Sequence, residues 1–255
     1  MILTDTHTHL YSKEFDNDRG EMIHRAIANG ITRFFIPAID SGHTSSMYDL
    51  EKKFPDNIFL MMGLHPTSVK ENYQEELEHI GQQFAAREFY AVGETGIDLF
   101  WDKSFLKQQQ EAFRYQIRLA KSKHLPVVIH CREAFDEIFE VLESEKGEDL
   151  FGIFHCFTGD LIQAQKAISY NMKLGIGGVV TFKNGGIDKF LQTIPIEHIV
   201  LETDSPYLAP VPFRGKRNES AYIEIVAQKI ADIYKLSLQE VAQITTQSSR
   251  EVFKV

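Results

Sequence analysis

Six residues of the types that bind metals or move protons follow short apolar runs along this 255-residue chain. His7 and His9 lie one residue apart in "ILTDTHTHL", and Glu94 sits between glycines in "AVGETGID". His130 ends "PVVIH", His155 ends "GIFH", and Asp204 ends "IVLETD". Four imidazoles and two carboxylates suit divalent metals such as zinc, magnesium or manganese, and they are enough donors for two ions. Glu94, central in chain order, is the natural bridging carboxylate. Any one of these residues alone would be unremarkable. A histidine at a strand end is commonly a hydrogen-bonded structural residue, Asp204 before Ser-Pro can open a turn, and Glu94 can be a loop acid. Their joint placement is what points to one metal site.

That placement requires particular elements beneath it. The apolar runs cover Ile2 to Leu10, Arg33 to Ile39, Ile58 to Leu64, Phe89 to Ile97, Pro126 to Cys131, Phe151 to Phe157, Met172 to Val180 and His198 to Asp204. Each is short and rich in Ile, Val and Phe, as in strands buried on both faces. Amphipathic stretches separate them. In one, Leu106, Phe113, Ile117 and Ala120 fall near one helix face. In another, Ile223, Val226, Ala227 and Ile230 do so, with Asn218 expected as the N-cap. Ser237 and Glu240 have capping-box spacing and open a last helix. About eight strand–helix alternations in one chain predict a closed (β/α)8 TIM barrel, a single domain over residues 1–255 with an extra C-terminal helix; an open doubly wound sheet is the competitor. In a barrel, His7 and His9, roughly 6.6 Å apart along a strand, lean together over the mouth, and the other donors meet them from neighbouring strand ends.

Composition sets bounds on function. The formal net charge of −9 argues against a broad basic surface that coats nucleic acid, but not against a site that grips a few phosphates. No run is long enough to span a membrane, and no secretory signal is evident. Two cysteines, Cys131 and Cys156, make no disulfide framework, so a reducing cytoplasmic setting is expected. No obligate protein partner is indicated. His24, His79, His124 and His198 read as surface residues, and His43 as a helix start. His65, in "GLHP", faces the same mouth and reads as a substrate contact rather than a ligand.

The strings "DTHTHL", "GLHP", "GETGID", "PVVIHCREA", "FHCFTG", "LGIGG", "ETDSPYLAP" and "RGKRNE" occur in the order and context of the TatD-type metal-dependent deoxyribonucleases, which the chain resembles over essentially its whole length. Thr95 and Ile97 depart from the commoner residues of that family, and Ser220 stands where a proline is common. The resemblance implies a TIM barrel with phosphodiesterase activity on DNA, often as an exonuclease. It places a first metal on His7, His9, Glu94 and Asp204, and a second on Glu94, His130 and His155.

The expected reaction is hydrolysis of DNA, on single-stranded ends, by a metal-activated water with Asp204 as general base and Glu94 as the second catalytic carboxylate. Two divalent ions, two carboxylates and four neutral imidazoles leave about +2 in the site, enough to attract a phosphodiester. His65, Arg132, Lys183, Arg214 and Arg217 are the expected substrate-binding residues, with Lys216 beside them. Phe100, Trp101 and Tyr207 are placed to stack unpaired bases. Asp5 and Glu202, each two residues before a ligand, are expected to hold imidazole N–H groups. Two alternatives stay open: a metal-dependent hydrolase of an ester, lactone or amide on the same barrel, and a non-catalytic nucleic-acid- or metal-binding protein.

Overall fold

Each of the eight apolar runs overlaps one strand of a parallel barrel. In the computed structural model, which describes residues 1–255, these are β1 (Leu3–Asp5), β2 (Ile31–Ile36), β3 (Ile58–Leu60), β4 (Val92–Asp98), β5 (Val127–Arg132), β6 (Gly152–Phe154), β7 (Met172–Ile176) and β8 (Ile199–Leu201). Strands β1 to β3 and β4 to β8 pair in sequence order. Two seams close the ring. Met62 bridges Val92 between β3 and β4, and the Thr6 amide donates to Leu201 O between β1 and β8 at 3.0 Å. The open-sheet alternative is thereby excluded, and every strand points its C-terminal end at the same mouth.

Helices follow the first six strands: α1 (Arg19–Ala28), α2 (Thr44–Lys53), α3 (Tyr73–Ala86), α4 (Leu106–Lys123), α5 (Phe135–Ser144) and α6 (Leu161–Ser169). The seventh crossover departs from the expected alternation. Only short 3-10 turns lie between Gly178 and His198, because Gly177, Gly178, Gly185, Gly186 and Pro195 disfavour a continuous helix there. Helix α7 (Ile223–Tyr234) follows β8, and α8 (Leu238–Phe253) is the extra C-terminal helix, opened by the Ser237–Glu240 capping box. No helix is long and apolar enough to cross a membrane.

Two apolar layers hold the barrel. The larger lies between strands and helices and includes Leu3, Phe34, Ile36, Val127, Ile129, Leu174 and Leu201. The smaller fills the barrel interior with Phe35, Met61, Ala91, Val128, Ile153 and Val200, which alternate with residues of the outer layer as strand geometry demands. Helix α8 plugs the lower end. Its Phe253 stacks on Phe35 with ring centroids 3.6 Å apart, so the mouth is left as the open end.

Candidate metal centre

The structure brings all six predicted donors together. His7, His9, Glu94 and His155 are almost fully buried, with His130 and Asp204 partly open to the mouth. Donor atoms of His7, His9 and Glu94 lie within 4.8 Å of one another, as do those of His7, His155 and Asp204, and those of His65, Glu94 and His130. Glu94 stands at the centre and divides the imidazoles between its two oxygens. Oε2 is 3.1 Å from His7 Nε2 and 3.7 Å from His9 Nε2. Oε1 is 2.9 Å from His130 Nδ1 and 3.5 Å from His155 Nε2. Asp204 Oδ1 completes the cluster at 3.5 Å from His9 Nε2 and 3.9 Å from both His7 Nε2 and His155 Nε2.

Local backbone explains the convergence. His130 is the register partner of Gly96, midway between Glu94 and Asp98 on β4. Gly96 has φ +138° and a Cβ there would lie 2.0 Å from His130 O, so a glycine is required for the strands to approach. The His130 ring then reaches a carboxylate at each end, with Nε2 2.9 Å from Asp98 Oδ2. Asp204 sits at φ +56°, a left-handed conformation that Asp tolerates better than most residues. The turn is fixed around it. The Asp204 amide donates to His7 O at 2.9 Å, while Asn218 Nδ2 donates to Thr203 O at 2.8 Å and to Tyr207 O at 2.7 Å. Asn218 is therefore not the N-cap of α7; it is buried and ties the β8 turn together.

For His9 and His130 the ring nitrogen facing the cluster is the one left free by a hydrogen bond behind it. Tyr11 donates to Pro37 O at 3.0 Å, so at 3.1 Å it accepts from His9 Nδ1–H. His130 Nε2 is held by Asp98 in the same way, and His155 Nδ1 faces Glu202 Oε1 at 3.0 Å as an ion-pair contact. Tyr11 and Asp98 set the tautomer and leave the facing lone pair available to a metal. His65 has the opposite arrangement. The Thr67 amide donates to its Nδ1 at 3.1 Å, and burial holds the ring pKa below its ordinary value. Its proton is thus on Nε2, which points into the site 3.3 Å from both Glu94 Oε1 and His130 Nδ1. His65 is a donor at the edge of the cluster.

Charge fits a cation. Burial opposes ionisation of Glu94, but His65, His7 and His155 and the His130 hydrogen bond more than offset it, holding the carboxyl well below the usual range. Burial likewise opposes ionisation of Asp204, and His155, His9 and His7 outweigh it. For His155, burial is overcome by Glu202, Glu94 and Asp204, which push its pKa up to about 10, so the carboxylates hold a proton where a cation at Nε2 would take its place. Buried nitrogen and carboxylate donors facing one another in this way match divalent metals of the zinc and manganese class.

The second ring of expected residues is only partly as read from sequence. Glu202 does hold His155. Asp5 touches no imidazole side chain; its carboxylate accepts from Thr203 N at 2.9 Å, Thr203 Oγ1 at 2.6 Å and Ser220 Oγ at 2.6 Å, bracing β8 and the start of α7. Ser220, where the resembling family commonly has proline, is thus the donor of a buried hydrogen bond. Asp98 and Tyr11 were missed; the signal for Asp98 was its place on the same strand as Glu94. At the mouth, Arg132 is exposed, lies 3.8 Å over Phe100 and 5.3 Å from Trp101, and has no carboxylate partner. Arg214 lies 4.0 Å over Phe182, and Lys183 is exposed beside it. Arg217 does not belong with them. It pairs bidentately with Asp18 at 2.6 and 2.7 Å and donates to Glu14 O at 3.0 Å, because the start of α1 presents a carboxylate to that loop. The other histidines stay apart from the cluster: His43 bonds Asp40 at 2.7 Å and His79 bonds Thr44 at 2.9 Å.

Comparison with known proteins agrees with this geometry. A family model described as TatD related DNase matches residues 4–254. The chain is 38% identical over its full length to the whole of a Bacillus subtilis protein named uncharacterized metal-dependent hydrolase YabD. It is 27% identical to a Pectobacterium parmentieri protein named 3'-5' ssDNA/RNA exonuclease TatD, covering 98% of this chain and 99% of that one. The crystal structure of YJJV, a TatD homolog from Escherichia coli, superposes with a TM-score of 0.93 at 27% identity, covering 99% of this chain and 98% of the other. Family match, whole-length relatives and a shared barrel agree with the donor cluster at its mouth, and this chain belongs to the TatD-related DNase family of metal-dependent hydrolases.

Proposed function

We propose that the chain is a two-metal phosphodiesterase that removes nucleotides from the ends of single-stranded DNA. The observation that carries the metal count is the division at Glu94. Its Oε2 faces His7 and His9, and its Oε1 faces His130 and His155, so the carboxylate could serve two ions. His7, His9, Glu94 and Asp204 would hold a first ion, and Glu94, His130 and His155 a second. Divalent ions held there would supply an activated water and neutralise charge at phosphorus. Asp204, ionised and partly open to the mouth, takes the proton as general base. His65 Nε2–H donates to a phosphoryl oxygen at the edge of the cluster. Arg132, Arg214 and Lys183, free of carboxylate partners, contact phosphates. Trp101, 69% exposed, and Phe100, 47% exposed, offer a stacking surface for an unpaired base. The Pectobacterium relative's name supports the choice of nucleic acid.

The test pairs metal content with hydrolysis of end-labelled single-stranded DNA, for the parent and Asp204→Asn. Metal-dependent release of mononucleotides by the parent, abolished in the variant while metal is still bound, is the expected result. Bound metal with turnover of lactones or amides but no nucleic acid would replace the nuclease by the ester or amide hydrolase.

A further inference from the structure

At the end of the barrel opposite the metal centre, two buried polar atoms on neighbouring strands have no hydrogen-bond partner in the protein. They are Thr4 Oγ1 and Arg33 Nη1. The two residues are register partners in the parallel pairing of β1 with β2, so their side chains share a face and start roughly 4.8 Å apart. That face is the barrel interior. Phe35, two residues after Arg33, belongs to the interior cluster, whereas Phe34 and Leu3 belong to the outer layer.

Helix α8 brings a second guanidinium to the same place. Thr246 Oγ1 donates to Ile2 O at 3.2 Å, just before β1, and Phe253 stacks on Phe35 of β2. Arg250 lies about one helical turn from each of them on α8, near enough to Arg33 for its charge to act on that guanidinium. Burial, and then the charge of Arg250, holds the Arg33 guanidinium below its ordinary pKa, with no carboxylate acting against them. Glu251, the neighbouring acid on α8, is engaged with Lys173 at 3.2 Å, and that amine also donates to Glu197 O at 2.7 Å. Arg33 is only partly buried, but its Nη1 is enclosed; an enclosed N–H with no acceptor, near a second cation, is unfavourable.

We propose that Thr4 Oγ1, Arg33 Nη1 and the Arg250 guanidinium form a binding site for a small monovalent anion of the halide class, inside the lower barrel and separate from the metal centre. Guanidinium groups only donate, and a threonine hydroxyl can donate to the same acceptor, so an acceptor-only ligand satisfies both enclosed atoms and is attracted by the charge of Arg250. Arg250, exposed to solvent, supplies the second charge and the route of entry. The bound anion fastens α8 to the strands it plugs.

The test uses the full chain. Crystals soaked in bromide are expected to show an anomalous peak within hydrogen-bonding distance of both Arg33 Nη1 and Thr4 Oγ1. Chloride, compared with gluconate at equal ionic strength, is expected to raise Tm by roughly 3 °C at tenfold excess over Kd. Thr4→Val keeps the β-branched shape and is expected to abolish that rise; Arg33→Met does the same if it folds, and Thr4→Val carries the test if it does not. An ordered water with no bromide peak, a Tm indifferent to chloride, or a chloride response retained by Thr4→Val overturns the proposal. Bromide on surface cations alone is an adventitious ion only and overturns it equally.

Discussion

Asp98 Oδ2 stands 2.9 Å from His130 Nε2, and this contact decides which nitrogen of the ring faces Glu94. With Nε2 protonated towards Asp98, Nδ1 keeps its lone pair for the cluster. Asp98→Ala is expected to weaken metal binding by about 10–100-fold, measured by calorimetric titration. Asp98→Asn retains an acceptor and is expected to recover most of the loss. Equal loss in both variants would mean that Asp98 does not act by holding the tautomer.

Gly175 makes room for the carboxylate behind His155. A Cβ at that position would lie 2.2 Å from Glu202 Oε2, whereas at Gly177 the nearest atom would be Glu202 O at 3.4 Å. Gly175→Ala is therefore expected to displace Glu202 from His155 and reduce metal affinity by about tenfold or more. Gly177→Ala is expected to leave affinity near that of the parent. Circular dichroism of both variants checks that the barrel is intact.

The arginines of the mouth separate into two kinds. Arg132→Ala and Arg214→Ala are each expected to lower the salt dependence of single-stranded DNA binding by about one phosphate contact. Arg217→Ala removes the ion pair with Asp18 instead, so it is expected to leave the salt slope unchanged and cost at most about 1 kcal/mol of stability. Trp101→Ala is expected to weaken binding by about 1–3 kcal/mol with little effect on salt slope. Fluorescence titrations across a salt series separate the phosphate contacts of Arg132 and Arg214 from the roles of Arg217 and Trp101.

Phe253 is 4% exposed and stacks on Phe35 inside the barrel. Removing its ring leaves a cavity that the strands cannot close, and Phe253→Ala is expected to cost about 3–5 kcal/mol. Urea unfolding measures that loss. Metal stoichiometry of the folded variant is expected to be unchanged, because the donors lie at the other end of the barrel.

Much of the architecture was legible along the chain. Each of the eight apolar runs marks its strand, although β2 starts two residues before its run and β4 and β5 each end one residue after theirs, and the Ser237–Glu240 box opens α8 as expected. Buried strands and caps are written in local composition and spacing, so they can be read without knowing what lies opposite. The misreadings have a shared cause. Asn218 has the type and position of a helix cap, yet it serves Thr203 and Tyr207. The seventh crossover has the length for a helix, but its glycines leave only 3-10 turns.

The sequence by itself determined the donor types, the strand ends that carry them, and the eight-fold alternation that makes them converge. These follow from side-chain chemistry and short-range periodicity. Only the tertiary structure decided that Glu94 presents one oxygen to each pair of histidines, that His65 presents a proton rather than a lone pair, and that Arg217 is bound to Asp18 while Arg132 and Arg214 stay free. Each of those outcomes rests on a distance between atoms, in most cases on residues far apart in the chain, and such distances exist only once the barrel has closed.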